Sequence, residues 1–285
     1  MRSVRIITSS LLTGVGPLRV AQPLPVHALR NLDPFILLHH AGPQKFDPTG
    51  DIQRIDPHPH RGFEPVTFVY RGSVHHKDSL GNSGVINAGG VQWITSGAGI
   101  IHSEGPTAEL QRAGGEIELI QLWVNLPARD KMCTPSYQEL HKEQLPTVDA
   151  CDGALTLSVV SGDLLGVTGP ATTHTPVVTA MGTLTSELSA ELPTPTLETF
   201  TIYVLNGSLI VNEEHRVQRH QLVAFNNDGT SIRLRCEEPG DLLLLAGAPL
   251  AEPIAQYGPF VMNTEEELNQ AVSDYREGKM GSLLD

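Results

Sequence analysis

Two pairs of potential metal ligands with the same spacing stand out in this sequence: His58 and His60 in HPHRGFEP, and His102 and Glu104 in GAGIIHSE. In an extended strand, side chains at i and i+2 leave one face about 6.5 to 7 Å apart along the chain. Each pair can therefore aim at a single point. If the two strands face each other across a small barrel, three imidazoles and one carboxylate converge where a divalent ion could sit at about 2.0 to 2.2 Å from each donor. A lone His-x-His is weak evidence, and Pro57 and Pro59 are as much at home in an edge strand or rigid turn. The second pair at the same period turns the reading to a metal centre.

Imidazole suits iron, copper, nickel and zinc, the carboxylate adds a harder oxygen donor, and no thiolate belongs to the set. Four protein ligands on an ion that prefers six leave two open positions. That arrangement fits oxygenase chemistry, where substrate and dioxygen bind side by side, and does not fit a closed structural site. A carboxylate beside the ion can also act as base toward a substrate hydroxyl that the cation has acidified.

The elements that must position these residues read as successive hairpins. Pro65 to Tyr70 is apolar and β-rich, Gly72 turns it, Ser79 to Gly84 and Gly89-Gly90 are turn clusters, and Val91 to Thr95 is again strand-like. Short strands at this spacing fold a sheet back on itself and bring the two ligand pairs together. Glu116 to Leu122 alternates polar and apolar residues, the period of a strand with one buried face, and Trp93 and Trp123 are expected to fill the barrel interior. His75 and His76 are adjacent, so they cannot both point inward, and neither is expected to bind metal. His39 and His40 follow the apolar run Phe35 to Leu38; they are expected to be core or rim histidines, with a substrate-facing role for one of them as the alternative, and neither is expected to bind metal.

The order His-x-His, a glutamate, a glycine turn and Gly-x-x-His resembles the two cupin motifs, with His60, Glu64, Gly72, Gly99 and His102 in the matching places. The longer strings HPHRGFEPVTFVYRGSVHHKDSLG and GGVQWITSGAGIIHSE resemble the pirin family of bicupins, and Gly247 to Ala271 is similar to the pirin C-terminal signature. The resemblance implies an all-β protein of two tandem cupin barrels and a ligand set of His58, His60, His102 and Glu104. It also implies that Glu64, a ligand in many other cupins, lies nearby without having to bind. One divalent transition ion is expected, Fe(II) first, with Ni, Cu, Mn, Co or Zn as alternatives. Bacterial pirins are associated with quercetin 2,3-dioxygenase activity, which opens a flavonol with dioxygen and releases a carbon as carbon monoxide. Glu104 or Glu64 is then the expected base for the flavonol hydroxyl. The alternative comes from eukaryotic pirins, iron-binding regulators that engage a transcription-related protein partner.

At 285 residues the chain is long enough for two cores. A first, metal-binding cupin domain is expected over 1–130, a Pro-rich and charged connector over 131–153, and a second cupin domain over 154–285. Ile202 to Leu209 lines up with Thr67 to Val74, so that Gly207 matches Gly72. The same offset puts Pro193 and Pro195 where His58 and His60 stand, no histidine follows His220, and the second barrel is expected to be metal-free with His215 and His220 on the surface. The chain closes on an expected helix whose capping box is Thr264 and Glu267, with Gly278 as its stop.

A formal net charge of -13, from 32 acidic and 19 basic residues, opposes direct nucleic-acid or anionic-membrane binding and leaves room for a protein partner. The cysteines, Cys133, Cys151 and Cys236, are few and scattered, as in a reducing cytoplasm. No signal peptide or membrane span is expected. A monomer is expected, since fused barrels can cover each other's sheet edges.

Overall fold

The computed structural model describes residues 1–16, 18–48, 54–185 and 189–283. It is built almost wholly of antiparallel strands, in two compact units that are interleaved along the sequence. One unit comprises Leu12–Val20, Phe35–Lys142 and Leu250–Asp285; the other comprises Met1–Leu11, Ala21–Pro34 and Glu143–Pro249.

The unit that carries the ligand pairs has a four-stranded sheet ordered Ile55–His60, Ile100–Pro106, Ser73–Asp78, Ser83–Asn87. Opposite it, Ser136–Leu140, Val91–Thr95, Phe63–Arg71, Gly115–Asn125 and Phe35–Phe46 lie side by side in a larger sheet. Leu18, Val20, Val69, Val74, Ile86 and Ile117 are buried together between the strands. Glycine is needed where the chain turns sharply. Gly72 has φ +75°, and a Cβ there would meet the Glu116 carbonyl oxygen at 2.5 Å.

The other unit repeats the strand order. Its four-stranded sheet runs Ser189–Pro193, Ser231–Glu238, Ser208–Val211, His215–Gln218, and its larger sheet runs Val4–Ser9, Gln221–Phe225, Thr199–Val204, Gly240–Gly247, Val177–Leu184, Leu155–Ser161, Thr147–Ala150. Thr199–Val204 and Phe63–Arg71 occupy the same place in their sheets, and Gly207, φ +77°, turns like Gly72. The weak internal repeat is therefore an architectural one. Pro193 ends the strand equivalent to Ile55–His60.

The division of the chain differs from the expected 1–130, 131–153 and 154–285. Val4–Ser9 pairs with Gln221–Phe225, which places the N-terminal strand in the second-half barrel. The supposed connector is structured: Ser136–Leu140 pairs with Val91–Thr95, whereas Thr147–Ala150 pairs with Leu155–Ser161. The terminal helix, Glu265–Arg276, belongs to the ligand-bearing unit rather than to the second barrel. The physical reason is that edge strands are satisfied by whichever segment supplies backbone donors and acceptors, whatever its distance in sequence.

That helix begins with the capping box expected of Thr264 and Glu267. Its Asp274 accepts from Arg61 Nη1 at 2.8 Å, and Arg61 Nε donates to Ala98 O at 2.7 Å. Arg61 thus ties the residue after the His58–His60 pair to the turn that precedes His102. Lys131 is buried in the same unit and its ammonium donates to Gly62 O, Asn125 Oδ1 and Val261 O at 2.7 to 3.0 Å. Burial draws its pKa down to about 8. No helix among the described residues is long and apolar enough to cross a membrane.

Candidate metal centre

Register puts the ligands together. His102 stands opposite His58 across the antiparallel pair, and directly opposed residues share a face of the sheet. A bulge between His102 and Glu104 brings Ile55 opposite Glu104. The Nε2 atoms of His58 and His102 are 2.9 Å apart, and the three rings of His58, His60 and His102 lie with centroids 4.3 to 4.8 Å from one another. His60 and His102 are buried and His58 is half-buried.

The hydrogen bonds around the rings fix which nitrogen is left for a metal. His58 Nδ1 is 2.8 Å from the Asp56 carbonyl and His60 Nδ1 is 3.4 Å from the Pro259 carbonyl. A carbonyl only accepts, so both Nδ1 atoms carry the proton and both Nε2 atoms present a lone pair. His60 Nε2 is buried with no hydrogen-bond partner. Two donors on adjacent positions of an ion, each at about 2.1 Å, stand about 3 Å apart, which is the separation between His58 and His102. The residues fit a divalent transition ion. Burial, reinforced by the charge of neighbouring imidazoles, holds the pKa of His60 and His102 well below the usual histidine value. Both rings therefore stay neutral at pH 7, as a ligand must.

Glu104 is buried, and its carboxylate is held from two sides: Gln121 Nε2 donates to Oε1 at 2.7 Å and Gln92 Nε2 to Oε2 at 2.5 Å. Gln92 also donates to Thr67 Oγ1 at 3.0 Å. Glu104 belongs with His102 and with a residue that the spacing argument set aside, His76: their ligand atoms lie within 4.8 Å of one another. The strand Ser73–Asp78 explains this, for Val74, His76 and Asp78 are buried while Ser73, His75 and Lys77 are not. Of the adjacent histidines, His76 points inward.

Glu64 is fully buried and takes a hydrogen bond from Thr95 Oγ1 at 2.8 Å. It joins neither ligand group. Gln92 reaches Glu104, so its neighbour Trp93 leaves on the opposite side of its strand and is buried there, away from the interior where it was expected. Trp123 packs on Phe63 at 4.1 Å and edge-on to His60 at 5.4 Å. His215 is 41% exposed at its side chain.

Beside Glu104 lies an apolar pocket walled by Val15, Leu18, Val20, Ile55, Val74 and Leu119 among others, with Glu104, Gln121 and His39 as its polar groups. His39 thus faces the cavity, and burial lowers its pKa to about 4. His40 points the other way, 3.2 Å from Glu118 Oε1.

Sequence comparison bears on the same residues. The pirin profile matches residues 17–124, and that of the pirin C-terminal cupin domain matches residues 180–281. The chain belongs to the pirin family. Pirin from Homo sapiens is 37% identical over 292 residues, covering 99% of this chain and 96% of the human protein. A relative from Pseudomonas aeruginosa, 41% identical over 250 residues and covering 88% of this chain and 87% of its own, is provisionally named a quercetin 2,3-dioxygenase. The crystal structure of quercetin 2,3-dioxygenase from Acinetobacter baumannii superposes with a TM-score of 0.94 at 37% identity, over 100% of both chains. Of the residues that spacing within a strand singled out, His58, His60 and His102 cluster together and Glu104 clusters with His102 and His76. Gln92, Gln121 and His76 lie on other strands, and only the register between strands reveals them.

Proposed function

We propose that this pirin is a metal-dependent dioxygenase that opens a flavonol such as quercetin with dioxygen. The observation that carries the reading is the apolar pocket that reaches Glu104, a carboxylate clustered with His102. A wet, narrow site would favour a regulator, whereas an apolar cavity with a few convergent polar groups suits a flat aromatic substrate. The names of the Pseudomonas aeruginosa and Acinetobacter baumannii relatives support it.

His58, His60, His102 and Glu104 hold the ion, Fe(II) or another first-row divalent metal. When bound, the ion supplies Lewis acidity toward a substrate hydroxyl and a redox centre for reaction with dioxygen. Glu104, anchored by Gln92 and Gln121, accepts the hydroxyl proton. Both of its oxygens receive an amide N–H and keep lone pairs for this task. Glu64 is bonded to Thr95 and does not line the cavity, which leaves the base role to Glu104. The apolar walls exclude water and orient the rings, and His39, neutral above pH 4, offers a hydrogen bond without a charge.

The test is anaerobic reconstitution with each candidate metal, followed by oxygen uptake and loss of the flavonol absorbance, on the wild type and on His102→Ala. Metal-dependent uptake that disappears in the variant supports the proposal. Turnover that survives in His102→Ala overturns the site. Stoichiometric metal binding without turnover on any flavonol overturns the enzyme and favours the iron-binding regulator with a protein partner.

A further inference from the structure

His76 has no part in the reaction just described, yet its surroundings are those of a metal ligand. It stands opposite Glu104 in the strand register, and Asp78 stands opposite His102, so both face the ligand cluster. The ring is completely buried and stacked on Tyr137, with centroids 4.5 Å apart and planes within 3°. Its Nε2 lies 3.0 Å from Asp78 Oδ2. The Asp78 carboxylate also receives the backbone N–H groups of Leu80 and Asn82 at 2.9 and 3.0 Å and the Asn82 side-chain amide at 2.9 Å. A carboxylate so surrounded by donors is an ionised acceptor, so the imidazole proton sits on Nε2 and Nδ1 carries the lone pair.

That lone pair has no hydrogen-bond partner and is buried. Leaving it so is costly, and His76 also stands in one cluster with His102 and the Glu104 carboxylate, their ligand atoms within 4.8 Å of one another. A cation between them removes the cost. A carboxylate behind an imidazole, fixing its tautomer and raising its basicity, is the arrangement that backs metal-bound histidines.

We propose that Nδ1 of His76, a ring nitrogen of His102 and the carboxylate of Glu104 form a second, inner position for the metal ion, next to the outer position at His58, His60, His102 and Glu104. The inference rests on the reading that the cluster holds a metal. The two positions share His102 and Glu104 and exclude each other, so the chain holds one ion. His102 suits the shared role: its Nδ1 has no hydrogen-bond partner, whereas the Nδ1 atoms of His58 and His60 are each tied to a carbonyl. Two imidazoles and a carboxylate suit Co(II), Ni(II), Zn(II) or Fe(II). In the inner position the ion leaves His58 and His60; His58 is half-buried, whereas the three inner ligands are buried.

The experiment titrates Co(II) into the full metal-free chain by calorimetry and visible absorption. It compares the wild type, His58→Ala, His76→Asn and the double variant, with near-UV circular dichroism as the check on folding. The wild type should bind one ion. His58→Ala should still bind one ion, about 10- to 100-fold more weakly and with a changed spectrum, and the double variant should lose at least a further tenfold. Equal binding by His58→Ala and the double variant, or no binding by a folded His58→Ala, overturns the inner position. If the double variant does not fold, Zn(II) added to ¹⁵N-labelled His58→Ala decides. A shift of the His76 Nδ1 resonance supports the position, and metal binding that leaves it unmoved overturns it. A wild type that binds no metal overturns the metal reading itself.

Discussion

Gln92 and Gln121 are the residues through which the rest of the barrel acts on Glu104. Replacing either by leucine removes an amide donor to a buried carboxylate. The expected result is a 10- to 100-fold loss of metal affinity, read by competition with a chelator; an unchanged affinity would remove the two glutamines from the site. The neutral imidazoles also set a pH dependence. His39 titrates near pH 4 in the folded chain and near 6.5 when unfolded. Between these values the unfolded chain takes up a proton that the folded one refuses, so stability falls as pH falls from about 6.5 toward 4. His60 and His102 act in the same direction. For His39 the effect reaches at most about 3 kcal/mol, less what solvent screens. In the metal-free chain, His39→Leu should lose less stability than the wild type between pH 7.5 and 5, as measured by urea denaturation; equal losses would contradict this. The candidate positions His58, His60, His102 and Glu104 were legible because the period of a strand is two and both members of each pair lie on one strand. His76 was not, because its inward direction follows from pairing with Ile100–Pro106, and its neighbour His75 has the same chemistry and the opposite face.

The strands are held in place by a few buried polar anchors. Gly62 follows the His58–His60 strand with φ +85°, and a Cβ there would run into the Val261 carbonyl oxygen. That close approach lets Lys131 bind the carbonyls of Gly62 and Val261 together. Arg61, beside it, is 4% exposed at its side chain and paired with Asp274. Asp274→Ala removes the carboxylate from this buried guanidinium and leaves it its bond to the Ala98 carbonyl, at an expected cost of about 3 kcal/mol. Urea denaturation should show it as a lower midpoint, and a midpoint within error of the wild type would mean that Arg61 finds another partner. The helix carrying Asp274 was legible in outline: Thr264 and Glu267 fixed its start, and the buried Leu268 and Ala271 its inner face. Its docking was not legible, since nothing in a local pattern says which barrel that face will cover. The turns at Gly72 and Gly207 were legible for the opposite reason, because their positive φ is a local demand that glycine meets.

On the scale of the molecule, two barrels with one strand order take their edge strands from distant parts of the chain. The pairing of Val4–Ser9 with Gln221–Phe225 and the placement of Leu250–Asp285 in the unit that carries the histidine cluster mean that neither barrel is a continuous piece of sequence. Residues 154–285 expressed alone lack Val4–Ser9 and Thr147–Ala150, which cover opposite edges of a seven-stranded sheet. That piece should show no cooperative unfolding transition, and a cooperative one would contradict the interleaved division. The resemblance of the His-x-His and Gly-x-x-His strings and of the C-terminal signature to the pirin family implied two cupin barrels, and the glycine repeat agreed with it. Their boundaries were illegible because strand pairing over more than two hundred residues leaves no mark on local composition. The measurement that tests the central claim most directly is the stoichiometry of the metal-reconstituted wild type with quercetin. The account predicts one dioxygen consumed and one carbon monoxide released for each flavonol opened, with none in the metal-free chain. Flavonol loss at the same rate without metal, or fully loaded protein that consumes no oxygen, would contradict it.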